Sequence, residues 1–310
     1  TQGASERTFS VVTRRYAFAP TRIEVFQDDL VRIELSTEDI AHSLTIDEYR
    51  VAKRVSPGQP VTFEFRAERP DCYLLFTNSF RGDLEAWMTS CGQRMGMLRA
   101  GKARPLLTAS WMVPAEVDEA QVHQMRVWER MLRSFGLEER LDLTPIRLAG
   151  AEEGCGDKVV GLICGTENDP SKRWPVGRWR ELIEKARGRW PELRFRLFGT
   201  KNDGEITRQV AEGMGEHVED VAGKTDLVEF AEALTRCAVL VCNDTGGMHI
   251  ANALGVPVVG VFGPTNPVRT GPIFDAPVTV LQPEGCPKTG GMAIEEVGVE
   301  AVLGCLEGVV

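Results

Sequence analysis

The feature that most limits what this chain can fold into is a series of short, largely apolar segments from residue 159 onward. VVGLI, LRFRLFG, AVLVC and PVVGVFG read as strands. Between them GRWRELIEKARGRW, DGEITRQVAEGMG, DLVEFAEALTRC and GMHIANALG read as helices. In the first helix Trp179, Leu182, Ile183, Ala186 and Trp190 recur on one side, and the third carries Leu227, Phe230, Ala231 and Leu234. A strand without polar alternation is buried on both faces, which calls for helices above and below it. Strand–helix alternation of this kind predicts a parallel, doubly wound α/β sheet.

Upstream the pattern differs. Residues 8–70 hold short runs of alternating or β-branched residues, punctuated by Pro20, Asp28-Asp29 and Pro57-Gly58. Such spacing predicts an antiparallel sandwich. From 72 the period shifts again: CYLLFT is a strand, and Asn78-Ser79 offers an N-cap for FRGDLEAWMTS. EVDEAQVHQMRVWERMLRSFG follows as a helix, with Val122, Met125, Val127, Met131 and Leu132 near one face and Gly136 as its stop. AGAEEGCGDK, at 149–158, reads as a linker. The expected domains are therefore 1–70, 71–150 and 151–310, which suits a chain of 310 residues.

The formal charge of -9 argues against broad binding to a nucleic-acid backbone. A single anionic ligand remains compatible with it, because local N–H groups and one or two cations are enough to hold a phosphate. The eight cysteines are scattered without a C-x-x-C pair, which suits a reducing compartment. No apolar run approaches the ~20 residues that span a bilayer. The first residue is Thr1, so an upstream segment is expected to have been removed or left out.

Chemistry concentrates in two loops. Asp244-Thr245-Gly246-Gly247-Met248-His249 follows a buried strand and opens a helix. Ligands of open α/β sheets bind at the carboxyl ends of strands. A helix N-terminus there presents unpaired N–H groups to an anion, and glycines let the backbone come close to it. Thr245 adds a hydroxyl, Asp244 accepts from sugar hydroxyls, and His249 lies within the first turn. The purely structural alternative is that Asp244 and Thr245 cap the helix while Gly246-Gly247 make a tight turn. The second loop, Gly165 to Pro175, ends in Lys172 and Arg173. Lys172 is placed to reach a pyrophosphate on the neighbouring strand's loop. Its alternative is a solvated pair of cations beside Trp174, which reads as core.

In order along the chain, G-x-E-x-x-P-x-K-R-W-P, L-F-G-T-x-x-D, A-G-K-T and N-D-T-G-x-M-H-x-A-x-A-L-G-x-P-V-V-x-V-F-G-P-T-N-P resemble the ADP-heptose:lipopolysaccharide heptosyltransferases. The likeness is strongest to the type that adds the second inner-core heptose. It runs from about 72 to 285, is densest from 155, and includes Thr77 to Arg81 and Leu84 to Trp87. It implies a GT-B glycosyltransferase, inverting and metal-independent, with no cofactor. ADP-heptose or another ADP-sugar would be the donor and the lipopolysaccharide core the acceptor. Lys172 would hold the diphosphate, Asp244 the heptose, and Thr245, Gly246 and Gly247 the phosphates, with His249 lining the same pocket. Thr200, Asp203 and Thr225 would shape the adenosine pocket. The location implied is the cytoplasm, at the inner face of the inner membrane, with peripheral contact.

The family's opening strand, Gly-Asp turn and helix, which carry the carboxylate that would activate the acceptor, have no counterpart here. No catalytic residue is assigned for that reason. Residues 8–70 instead resemble the first half of a cupredoxin domain of the cytochrome oxidase subunit II type. Phe18-Ala19-Pro20, Asp39 to Ser43, Pro57-Gly58, Phe63, Phe65 and Arg69-Pro70 carry that likeness. His42 would match a copper ligand, but copper needs a fuller His–Cys–His set. His42 therefore reads as a strand-end histidine, with no metal expected. The chain reads as a fusion or chimera joined near 70–72. The alternatives to a working transferase are a non-catalytic nucleotide-sugar-binding module, a copper protein and a sugar-nucleotide epimerase.

Overall fold

The computed structural model describes residues 5–15, 17–26, 28–46, 49, 51–67, 72–89, 91–148, 159–167 and 169–309. The linker at 149–158 with Cys155, the junction residues Arg69, Pro70 and Asp71, and Asn168 lie outside the described residues. So do the expected domain boundaries at 70/71 and 150/151. The chain divides into two compact units, 1–114 and 115–310.

In the first unit β1 (Glu6–Arg14), β2 (Ala17–Ala19), β3 (Leu30–Thr37) and β6 (Val61–Arg66) form one sheet in the order β2-β1-β3-β6. A hairpin of β4 (His42–Ile46) and β5 (Val51–Val55) packs on it. Val11, Val31, Ile33, Leu35, Val55 and Phe63 close the shared core, with Leu44 and Ile46 of the hairpin against it. The antiparallel expectation is corrected in one respect: β1 and β3 pair in parallel. Strand β2 folds back on β1, so residues 20–29 return the chain to the start of β1 before β3 sets out alongside it. His42 opens β4, its Nε2 2.8 Å from Asp39 Oδ1, which is the strand-end role. Among the described residues no group of three His, Cys, Asp or Glu is placed to hold a metal.

The same unit ends in a parallel sheet of β7 (Cys72–Leu75), β8 (Gln93–Leu98) and β9 (Ala109–Met112), with α1 (Phe80–Met88) as the first crossover. Ser79 caps α1 by accepting from Gly82 N–H at 3.1 Å, as the sequence predicts. A buried ion pair between Arg104 and Asp83 ties α1 to the segment after β8, and Arg104 also donates to Met97 O.

In the second unit α2 (Gln124–Ser134) is shorter than the sequence predicts. It begins only where His123 supplies a cap, its Nδ1 accepting from Met125 N–H at 3.2 Å. Val122 therefore precedes the helix, while Val127 and Met131 are buried on it. A six-stranded, all-parallel sheet follows, built from β10 (Val159–Ile163), β11 (Arg194–Phe198), β12 (Val218–Asp220), β13 (Val239–Asn243), β14 (Val258–Val261) and β15 (Val278–Leu281). Counted from β10, the spatial order is 3-2-1-4-5-6, a doubly wound arrangement whose direction reverses between β10 and β13. Both central strands are buried at every residue, which is why their sequences carry no polar alternation.

The helices are α3 (Val176–Arg189), α4 (Gly204–Ala211), α5 (Leu227–Thr235), α6 (Gly246–Ala253), α7 (Pro267–Thr270) and α8 (Val299–Leu306). Trp179, Leu182, Ile183 and Ala186 of α3 are fully buried, and each large side chain contributes roughly 1.5–3 kcal/mol. Leu227 departs from its expected inner position and is 68% exposed. Strand β15 and helix α8 lie beyond the segments whose periodicity was legible; β15 is a partly exposed edge strand. Among the described residues no helix is long and apolar enough to cross a membrane.

Candidate functional site

The strand order sets the site. Where winding reverses, the loops after β10 and β13 diverge to opposite faces and leave a crevice at the carboxyl edge. Asn243, the last residue of β13, fixes the two loops. Its Oδ1 accepts from Trp174 N–H at 3.1 Å, and its Nδ2 donates to Cys164 O at 2.8 Å. Trp174 is buried, donates from Nε1 to Val297 O at 3.0 Å, and packs edge-on to Trp179. It is core, as read from the sequence.

Within the β10 loop the two cations separate. Arg173 turns back, donating to Thr166 Oγ1 at 3.2 Å and Thr166 O at 2.7 Å. Asp169 caps the short turn 170–172 by accepting from Ser171 N–H at 2.9 Å. Lys172 is thereby carried across the crevice, where Nζ lies 2.8 Å from Asp244 Oδ2. The pair is largely buried, at 28% and 8% side-chain exposure.

Helix α6 starts at the same place. Thr245 holds its N-cap position in extended conformation and makes no side-chain cap, and Asp244 pairs with Lys172 instead. Neither residue does the capping that the structural alternative required, so the first N–H groups of α6 have no side-chain cap, and Thr245 and Gly246 line the crevice. Gly247 is needed for close packing: a Cβ there would lie 2.4 Å from Ile163 Cδ1. Gly246 has open space around it.

Two adjoining pockets result. The smaller, about 200 Å³, is lined by Thr166, Glu167, Asp169, Lys172, Asp244, Thr245, Gly246 and His249. Burial pushes the His249 imidazole below its ordinary value; Asp244 opposes that and His123 adds to it. The larger, about 420 Å³, includes Ile163, Leu227 and Phe230 with Thr200, Asp203, Thr225 and Gly247, and Thr245 borders both. All nine candidate residues thus fall on two neighbouring pockets: Lys172, Asp244, Thr245, Gly246 and His249 in one, Thr200, Asp203, Thr225 and Gly247 in the other.

Asp203 Oδ2 accepts from Thr200 N–H at 2.8 Å and Thr200 Oγ1 at 2.9 Å, a capping box that holds the turn after β11. Gly165 and Gly199 pack onto this carboxylate, and a Cβ at Gly165 would lie 1.9 Å from Asp203 Oδ1. Among the lining residues that sequence reasoning did not assign to the site are Thr166, Glu167, Ile163 and Phe230. The first two stand in the same polar loop as Lys172 and were overshadowed by its charge. Ile163 and Phe230 look like ordinary core until the pocket is seen.

Residues 63–296 match the sequence profile of glycosyltransferase family 9 (heptosyltransferase). The chain is 26% identical over 227 residues to lipopolysaccharide heptosyltransferase 2 of Salmonella typhimurium, covering 67% of this chain and 64% of that protein. It is 35% identical over 137 residues to lipooligosaccharide heptosyltransferase 2 of Haemophilus ducreyi, covering 41% and 38%. The chain spans less than two thirds of the length of these relatives. Among solved structures, the E. coli ADP-heptose lipopolysaccharide heptosyltransferase II superposes with a TM-score of 0.65 at 22% identity, covering 78% of this chain and 76% of that one. An E. coli heptosyltransferase solved with ADP gives 0.61 at 21%, covering 79% and 74%. At these identities the likeness establishes the fold, the mixed α/β architecture of the GT-B heptosyltransferases.

Proposed function

Because the chain belongs to glycosyltransferase family 9, the heptosyltransferase family, we propose that it binds ADP-heptose, or another ADP-sugar, and transfers the sugar to the lipopolysaccharide inner core. The observation that carries this reading is the placement of Lys172, Asp244 and the uncapped start of α6 around one crevice, beside a larger pocket with apolar walls. A nucleoside diphosphate needs that combination: donors and one cation for the phosphates, and an apolar slot for the base.

In this reading the base enters between Ile163, Leu227 and Phe230, which explains an exposed leucine at the mouth of a pocket. Lys172 and the N–H groups of Gly246 and Gly247 take the diphosphate, with the Thr245 hydroxyl beside them. Asp244, released by the lysine, accepts from the sugar hydroxyls, and His249 borders the same space. Transfer is a displacement: an acceptor hydroxyl forms the new bond to the anomeric carbon and gives up its proton to solvent, while the bond to the phosphate oxygen breaks and ADP leaves with its electron pair. The charge left on the departing ADP is what fixed N–H donors and Lys172 stabilise. The N–H donors belong to the fold itself and need little reorganisation, whereas Lys172 first leaves Asp244.

Around that centre we place the finer parts of the reading. The chain works in the cytoplasm, in peripheral contact with the inner face of the inner membrane, where its acceptor lies. Residues 1–70 form a cupredoxin-like β segment, 71–150 a partial acceptor-side domain and 151–310 the donor-binding domain, joined as a fusion. The sheet and hairpin of β1 to β6 support the first division, and the parallel β7-β8-β9 sheet supports the second. With His42 paired to Asp39, the β segment acts as an adaptor and holds no copper.

Calorimetric titration with ADP, beside a Lys172→Ala, Asp244→Ala double variant, tests the site. Micromolar binding by the wild type that the double variant lacks is expected, followed by heptose transfer in an assay with ADP-heptose. A folded wild type that ignores ADP would defeat the proposal. Binding without transfer or hydrolysis would instead establish a nucleotide-sugar-binding module.

A further inference from the structure

Glu167 stands on the side of the smaller pocket that faces the larger one, near Thr200. It lines the smaller pocket, and its Oε1 accepts from Asn202 Nδ2 at 2.9 Å, which joins the loop after β10 to the turn after β11. Thr200, on the border of the larger pocket, lies 3.5 Å from Glu167 Oε2. A nucleoside diphosphate with its base in the larger pocket and its phosphates in the smaller must put its ribose at this junction, since ribose links the two. We infer that Glu167 is the residue that reads the ribose hydroxyls, its carboxylate accepting from the diol while Asn202 holds it in place. The inference rests on the nucleotide-sugar reading above and deepens it.

A second carboxylate, Asp203, is close by, and the hydrogen bonds decide between them. Asp203 is 5% exposed, and its Oδ2 already accepts from the backbone N–H and the hydroxyl of Thr200. Glycines at 165 and 199 press against its other atoms. It is consumed in shaping the turn. A threonine hydroxyl has one proton. Thr200 gives that proton to Asp203 at 2.9 Å, so the 3.5 Å approach to Glu167 leaves Oε2 open. An ionised carboxylate offers about four acceptor sites. Asn202 fills one, and Glu167 is exposed at the pocket edge with the rest available. Two adjacent hydroxyl donors match that remaining capacity; a phosphate, which brings acceptors, does not, and the base is placed by Ile163, Leu227 and Phe230 of the larger pocket.

The test compares ADP with 2′-deoxy-ADP and 3′-deoxy-ADP by calorimetry on the wild type and on Glu167→Ala, Glu167→Gln, Asn202→Ala and Asp203→Asn. The wild type is expected to favour ADP over at least one deoxy form by roughly tenfold or more, as for a hydrogen bond to a charged group. In Glu167→Ala that ratio falls towards one, and in Asn202→Ala it shrinks partway. Because the ratio is read within one protein, a partly unfolded variant does not distort it; Glu167→Gln keeps the side-chain shape as a second check. Equal affinity of the wild type for all three nucleotides overturns the assignment. So does a full ratio in Glu167→Ala, or a ratio lost only in Asp203→Asn, which would give the diol to Asp203. No ADP binding at all would overturn the nucleotide reading itself, and this assignment with it.

Discussion

Lys172 Nζ and Asp244 Oδ2 lie 2.8 Å apart although the residues are 72 positions apart in the chain. The charge of the lysine is met by the residue that, on the proposed mechanism, later contacts the sugar. An anion must therefore compete with Asp244 for Lys172, and the two variants should differ. Lys172→Ala should lose ADP affinity by roughly 10- to 100-fold, the worth of a charge-assisted hydrogen bond. Asp244→Asn should bind ADP at least as tightly as the wild type yet transfer heptose poorly. Calorimetry with a transfer assay reads both, and equal loss of ADP binding in the two variants would rule the competition out.

The two glycines that open α6 should respond in opposite ways. A methyl at Gly247 meets Ile163 Cδ1 at 2.4 Å, whereas one at Gly246 meets nothing within 4 Å. Gly247→Ala should cost about 1–3 kcal/mol through overpacking. Gly246→Ala should leave stability nearly unchanged, so any loss of ADP binding there reports on the ligand's approach. Thermal melts of the two proteins separate these effects.

Asn243→Ala tests the bracket that holds the crevice open. The change removes an acceptor from Trp174 N–H and a donor from Cys164 O, both buried. Each orphaned group costs about 1–3 kcal/mol, so a total of about 2–6 kcal/mol is expected in chemical denaturation. A loss below about 1 kcal/mol would show that the loops hold without it.

Two histidines set a pH dependence. Burial lowers the pKa of His249 and of His123 below the ordinary 6.5. Between the folded and unfolded values the unfolded chain binds more protons, so stability rises with pH there and falls as pH drops through and below about 6.5. His123 adds a geometric reason. Its Nδ1 accepts from Met125 N–H and its Nε2 lies 2.9 Å from Gly271 O, a pattern that only the neutral Nε2–H tautomer satisfies. Melting temperature measured from pH 8 to 5 should decline on the acid side. The decline should be shallower in His249→Gln, and an unchanged slope would remove His249 from the account.

Local pattern made much of the second unit legible. The central strands announce themselves because burial on both faces excludes polar residues, and α3 because its inner residues repeat at helical spacing. Ser79 was readable as a cap because a cap bonds within its own turn. The start of α2 was not, since nothing in its amphipathic pattern marks His123 as the cap. Nor was the parallel pairing of β1 with β3, because strand alternation reveals a face and leaves the partner's direction open.

At the site, composition and order along the chain named the loops; their chemistry was settled by contacts between them. Lys172 and Asp244 were each recognisable as polar residues beside a buried strand. Their pairing depends on β10 and β13 lying side by side, which follows from sheet order. Asp203 reads in sequence as a residue shaping the adenosine pocket; folding puts it on the larger pocket with its carboxylate engaged in a capping box, while Glu167 stays exposed. By itself, then, the sequence determined the alternating elements, the buried strands and the two glycine-bearing loops, because those depend on periodicity and residue type over a few positions. Tertiary structure decided which charges meet, which carboxylate stays free and where an apolar side chain such as Leu227 is left at a pocket mouth, because each depends on groups distant in the chain brought within a few ångströms.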